Sequence, residues 1–170
     1  MKSHVSILIR PIQITDLPGI VAILNPFIET TATTFDTDIY SAKTRHPWFS
    51  QFGDTGRYRC FVAEKLDGQL VGYANSSPLR PKRAYDTSVE VSVYRSPDRT
   101  VEGLGSLLYA KLFEALRMED IHRAHAVITL PNLASIALHE KFGFYQVGTL
   151  HEAGRKFGSY HSVFWMEKRL

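Results

Sequence analysis

Apolar and polar residues alternate with a period of two in the middle of the chain, with Val89, Val91 and Val93 on one side of a strand and Glu90, Ser92 and Tyr94 on the other. One face of that strand can pack while the other does chemistry. Soon after it the period changes to the three-and-four spacing of a helix, through Leu104, Leu107, Leu108, Leu112 and Leu116. Gly103 and Gly105 stand at the start of this stripe, so the segment reads as strand, glycine turn and helix. Unpaired N–H groups and the positive end of the helix dipole favour a phosphate at such a start, and a residue without a Cβ lets the phosphate approach the backbone. Taken alone, the two glycines are as compatible with a plain tight turn.

The flanking patterns give an order of elements. Residues 7–10 read as a first strand, and Thr15 is placed to cap a helix with the stripe Leu17, Ile20, Val21, Leu24 and Ile28. A Thr-rich polar segment over 29–34 ends at Phe35, and a short helix is expected over 40–52. Two strand-like runs, 58–65 and 69–76, are joined at Asp67-Gly68 as a hairpin. A basic loop over 77–86 with two prolines then enters the strand of Glu90. Behind the glycine helix come a strand over 124–129 and a helix with the stripe Leu133, Ile136, Ala137 and Phe142, stopped by Gly143. Strand-like runs over 145–151 and 160–167 close the chain. The order β-α-α-β-β-β-α-β-α-β-β, without internal repeats, predicts an α/β fold with a mixed sheet and helices on its faces.

Composition narrows the function classes. At 170 residues and 44% hydrophobic, the chain fits one sizeable core, hence one domain over 1–170. The net charge of +3 is dispersed, which suits a small acidic ligand and gives no reason to expect nucleic acid as partner. Cys60 is the sole cysteine, so there is no intrachain disulfide framework, and a reducing compartment fits. The apolar run near the N-terminus lacks a small-residue cleavage site and no segment has the length of a membrane span, so the expected location is cytoplasmic, without a membrane partner.

Several chemistries are excluded by motif. A dinucleotide fingerprint needs a glycine where Leu108 stands, and no Gly-Lys-Ser/Thr triplet supports a P-loop. No metal is expected. His139-Glu140 continues as Lys-Phe-Gly, and His122 and His125 have no carboxylate or thiolate companion nearby and are expected at the surface. Cys60 reads as a buried strand cysteine rather than an acyl carrier.

Two stretches then carry a resemblance: the glycine turn after the fourth strand, and Asn132-x-x-Ser135-x-x-x-His139-Glu140-Lys141-x-Gly143-Phe144 behind the fifth. In this order they resemble the GNAT superfamily of acyl-CoA-dependent N-acetyltransferases. Further stretches resemble its phosphinothricin acetyltransferase-like group, which acetylates small amino acids and their analogues. They include Ile9-Arg10-Pro11, Asp16-Leu17-Pro18, residues 30–35, Ala84-Tyr85-x-x-Ser88-Val89-Glu90-x-Ser92-Val93-Tyr94 and Lys156-Phe157-Gly158-x-Tyr160.

The resemblance implies a GNAT fold, with a mixed, mostly antiparallel seven-stranded sheet flanked by about four helices. It implies acetyl-CoA as acyl-donor cosubstrate, its pyrophosphate held by the turn Thr100, Val101, Glu102, Gly103, Leu104, Gly105 and Ser106. Its pantetheine would run beside Val93, Tyr94 and Arg95, with Asn132 and Ser135 on the far side. Thr100 stands where the family usually has Gln or Arg, and Glu102 where basic or small polar residues are usual, a departure that bears on cofactor affinity.

Acetyl transfer to an amine requires an acceptor for the ammonium proton, a donor to the oxyanion and an acid for the leaving thiolate. For an arbitrary strand glutamate an ion pair is the commoner role, but the resemblance assigns Glu90 as the base and His139 as the acid. Burial in an apolar strand environment would raise the pKa of Glu90 toward neutrality. For the amine acceptor the resemblance points to Phe35, Tyr85 and Ser92. Arg80, Lys82 and Arg83 on the basic loop offer cations to a carboxylate or phosphinate. The resulting expectation is direct transfer to the amino group of a small amino acid or analogue, by an enzyme that would form a homodimer. The alternatives are another amine, such as a peptide N-terminus or an aminoglycoside, and a CoA-binding module of low turnover.

Overall fold

The structure, a computed structural model, describes residues 6–97 and 101–170. Seven strands form one sheet in the order β1-β2-β3-β4-β5-β7-β6. They are β1 (Ile7–Pro11), β2 (Cys60–Lys65), β3 (Leu70–Pro78), β4 (Ser88–Arg95), β5 (Arg123–Thr129), β6 (Tyr145–Lys156) and β7 (Ser159–Arg169). The helices are α1 (Leu17–Thr30), α2 (Ala42–Phe49), α3 (Leu104–Leu116) and α4 (Leu133–Lys141), which reproduces the expected order. Every neighbouring pair is antiparallel except β4 with β5.

Period-two alternation sorts the core onto two faces. Val62 and Tyr73 meet Ile20 and Ile23 of α1, with Trp48 and Phe52 against them. On the other face Phe61, Ala63, Ala74, Val89 and Val91 pack against the buried stripe of α3: Leu104, Leu108, Tyr109, Leu112, Phe113 and Leu116. Because Val89 and Val91 point to α3, the alternation turns Glu90 and Ser92 to the opposite face.

Some local expectations need correction. Thr15 does not cap α1. A 3-10 turn over Ile14–Asp16 precedes the helix, and the Asp16 carboxylate, held by Arg10 at 2.7 and 2.8 Å, accepts the Gln13 N–H at 2.7 Å. A charged carboxylate with two fixed partners is a better acceptor than an exposed hydroxyl. In α1 Ile23, not Val21, completes the buried stripe. In α4 Leu133 is 81% exposed, and the residue that turns inward is His139. The closing hairpin is longer than expected, because two register shifts carry β6 through the polar run around Gly154 to a turn at Phe157 and Gly158, both with positive φ.

Candidate active site

The parallel pairing of β4 with β5 lasts for three registers, Ser88 to Arg123, Val89 to Ala124 and Glu90 to His125, and then the strands part. The parting leaves the β4 edge beyond Glu90 without a β5 neighbour, where an extended ligand can supply hydrogen-bond partners. A cleft of about 650 Å³ fills the gap. Val93, Tyr94 and Arg95 line one side, Asn132 and Ser135 another, and Gly103, Gly105 and Ser106 lie at its α3 end, so these expected cofactor residues are brought together.

The two glycines do different jobs. Gly103 caps α3 with φ 72°, a conformation costly for a residue with a Cβ. At Gly105 a Cβ would lie 3.1 Å from the Leu138 side chain, so the absent side chain lets α4 pack closely. The first helical hydrogen bond runs from Leu107 N–H to the Gly103 carbonyl at 3.1 Å, so the N–H groups of Leu104, Gly105 and Ser106 have no acceptor within the helix. This donor set fits a pyrophosphate. Val101 is half-buried against the core and Glu102 is exposed, while Thr100 lies outside the described residues. The Asn132 side chain caps α4 by accepting the Ser135 N–H at 3.1 Å, which fixes both residues at the cleft wall.

On the acceptor side Glu90 is half-buried at the fork, and Ser92 on the same face lines the cleft. Burial raises the Glu90 pKa, with the charge of Arg80 opposing. The Arg80 guanidinium lies 5.2 Å from the Trp165 ring centroid, and the Trp165 indole N–H donates to His125 Nδ1 at 3.2 Å. His125, expected at the surface, is thus half-buried beside Glu90 in the β4/β5 register, its imidazole held toward neutrality by desolvation. Sequence reasoning missed Trp165 and His125. The β4/β5 pairing supplies His125 and the β5/β7 pairing supplies Trp165, and nothing in their local sequence marks them.

Phe35 is seated on the face of Gly154, where any Cβ would collide with its ring, and its segment is tied down by Lys156 Nζ donating to the Thr34 carbonyl at 2.8 Å. Phe35 borders the hairpin rather than the cleft lining, and Thr31 and Thr33 of the same segment line the cleft. Arg83 and Tyr85 occupy an exposed 3-10 turn with Lys82 at its start, outside the lining. His139 also stands behind the lining, 3% exposed, with both ring nitrogens engaged by protein partners. Cys60 is buried and its thiol pKa is pushed up by desolvation, which disfavours a thiolate.

Comparison with known proteins agrees with this architecture. Residues 9–165 match the family model for the acetyltransferase (GNAT) domain. Phosphinothricin N-acetyltransferase of Streptomyces coelicolor is 46% identical across the whole of both chains. The L-methionine sulfoximine/L-methionine sulfone acetyltransferase of Pseudomonas aeruginosa is 34% identical over 95% of this chain and 94% of its own. A GNAT superfamily phosphinothricin acetyltransferase from Sinorhizobium meliloti, solved in complex with AcCoA, superposes with a TM-score of 0.90 at 28% identity, covering 96% of this chain and 88% of that one. With the sheet forked between β4 and β5, a glycine-capped helix at the fork and relatives matched along the full length, the chain belongs to the GNAT acetyltransferase family.

Proposed function

We propose that the protein transfers the acetyl group of acetyl-CoA directly to the amino group of a small amino acid or analogue, of the phosphinothricin or methionine sulfoximine type. The observation that carries this reading is the placement of Glu90 at the end of the β4/β5 pairing with the Arg80 guanidinium nearby over Trp165. An α-amino acid presents an ammonium and a carboxylate a few ångströms apart. Glu90 takes the proton of the first, directly or through water, and Arg80 holds the second. The backbone N–H groups at the start of α3 bind the pyrophosphate, and Val93, Tyr94, Arg95, Asn132 and Ser135 flank the pantetheine. The neutral amine attacks the thioester carbonyl, whose developing oxyanion is met by a β4 backbone N–H; collapse breaks the C–S bond and expels the CoA thiolate, and the second nitrogen proton passes to that thiolate or to water as the amide forms. Acetyl-CoA supplies the activated acyl group, and all other work is binding, orientation and proton acceptance by this chain.

The names of the full-length relatives support a small amino-acid acceptor. The protein works as a single cytoplasmic domain, and no helix among the described residues is long and apolar enough to cross a membrane. It assembles as a homodimer through the β6/β7 hairpin, where Tyr145, Val147, Leu150, Phe157 and Tyr160 are each more than half exposed. A thiol-release screen of amino acids and their analogues with acetyl-CoA tests the reading. Turnover with a small α-amino acid, and little with its carboxamide, is the expected result. Release with peptides or aminoglycosides alone overturns the acceptor class, and acetyl-CoA binding without release to any amine leaves a CoA-binding module.

A further inference from the structure

His139 occupies the sequence position assigned to the acid for the leaving thiolate, yet its surroundings answer a different need. The ring is sandwiched between α3 and the end of α4, in edge-on contact with Tyr109 at 5.2 Å and Phe144 at 5.0 Å between centroids. Nδ1 lies 2.7 Å from the Ser135 carbonyl oxygen, which can only accept, so Nδ1 carries a hydrogen. Nε2 lies 2.8 Å from the Tyr109 hydroxyl. In the neutral ring Nε2 accepts the phenol hydrogen and both groups are satisfied. In the imidazolium Nε2 donates instead, and the phenol hydrogen must find another acceptor, while the Tyr109 hydroxyl has no other hydrogen-bond partner among the described residues. An acid has to arrive protonated. Desolvation works against that charge in the same direction.

Of these two bonds, the one to Tyr109 ties α4 to α3, the helices that bound the cleft, and the one to the Ser135 carbonyl lies within α4 and fixes the ring on its own helix. Tyr109, fully buried, follows Gly105 by one helical turn, and Gly105 is the point where Leu138 of α4 closes on α3. Ser135, whose carbonyl takes the His139 hydrogen, lines the cleft together with the cap Asn132. We infer that His139 is a positioning residue: with Tyr109 and the Ser135 carbonyl it locks α4 against α3, sets where Asn132 and Ser135 stand in the cleft, and gives no proton to the thiolate. For its effect on cofactor binding the inference rests on acetyl-CoA being the ligand of the cleft, whereas the protonation state does not depend on it. The titratable group bonded to the ring is the Tyr109 phenol, whose pKa burial pushes far up, so neither partner ionises in the working range.

Ring ¹⁵N NMR of the folded protein from about pH 5 to 8, assigned by comparison with His139→Gln, should show His139 as the neutral Nδ1–H tautomer throughout. Alongside it, acetyl-CoA binding is measured by calorimetry for the wild type, His139→Gln and Tyr109→Phe. Each variant loosens the contact that sets Asn132 and Ser135 in the cleft wall and should bind acetyl-CoA about three- to tenfold more weakly, about 0.7–1.4 kcal/mol. Turnover at saturation should stay within about threefold, and the alkaline side of its pH profile should keep its shape, where removal of a general acid would cost about a hundredfold or more. Tyr109→Phe keeps the ring in its aromatic cluster and so remains informative if His139→Gln fails to fold. An imidazolium titrating between pH 6 and 8, or variants with unchanged acetyl-CoA affinity and a lost alkaline limb, would overturn the inference. A wild type that binds no acetyl-CoA would defeat the functional reading instead, and the NMR result would still decide the protonation state of His139.

Discussion

On the α3/α4 side of the cleft the groups offered to a ligand are backbone N–H groups and two capped polar residues, all set by apolar packing behind them. Around Glu90, at the end of the β4/β5 pairing and outside the lining of that cleft, they are side chains, half-buried or exposed, that lean on one another: Glu90 near Arg80, Arg80 over Trp165, Trp165 bonded to His125. The first side tolerates changes in side-chain chemistry because a peptide N–H is present whatever the residue. The second does not, because each role belongs to one functional group. Side-chain changes in the turn before α3 should therefore spare the donor set of α3, and acceptor choice should respond to single substitutions.

The largest break in that comparison should come at Glu90. Glu90→Gln is expected to lower turnover by roughly a hundredfold or more, while acetyl-CoA affinity measured by calorimetry stays near wild type. Burial raises the pKa of this carboxyl, so wild-type kcat/KM should climb as pH rises through it and the carboxylate forms. The limb owed to Glu90 should be missing in the variant, and near-wild-type rates across the pH range would assign the base to water or another group.

Arg80 comes next. A charged hydrogen bond is worth about 1.5–3 kcal/mol, so Arg80→Leu should raise the KM for an amino-acid acceptor by about ten- to a hundredfold and leave the KM for acetyl-CoA unchanged. Trp165→Leu should move the same parameter in the same direction by less, since it removes only the platform and the bond to His125. Equal effects on both substrates would mean that the two sides are one mechanical unit.

The packed side should respond to acid. Burial lowers the His139 pKa from 6.5, so below that value the unfolded chain binds a proton that the folded one refuses. Stability should therefore fall as pH drops from about 6.5 toward 5, by at most about 1.4 kcal/mol per unit, and His139→Gln should flatten this dependence in denaturant titrations. His125 is also held toward neutrality by burial, although Glu167 at 3.7 Å opposes this, so a remaining slope in the variant belongs to that side.

The smallest effect is expected at Glu102. An exposed carboxylate near a pyrophosphate is repulsive by about 1 kcal/mol in water-like surroundings, so Glu102→Gln should tighten CoA binding by no more than about fivefold. The gain should shrink as salt screens the charge. Unchanged affinity would show that this wall of the cleft is set by its backbone alone.

The chain by itself determined the elements, their order and the glycine turn that opens α3. Alternation in β4, the leucine stripe of α3 and the glycines between them are local patterns, enforced by the two- and 3.6-residue periods of the backbone, and they are legible without knowing what packs on what. Glu90 and the Asn132/Ser135 pair were singled out by the resemblance to the GNAT family and not by any local period. Tertiary structure alone decided what stands beside Glu90. His125 stands there through the β4/β5 pairing, and Trp165 reaches His125 and Arg80 because β7 inserts between β5 and β6; no local period encodes the order of strands in a sheet. It also decided the state of His139, whose ring hydrogen bonds are set by Tyr109, 30 residues earlier in the chain, and by how closely Gly105 lets α4 approach. The charge of a buried group depends on its desolvation and its partners, and both arise only when helices that are distant in sequence pack together.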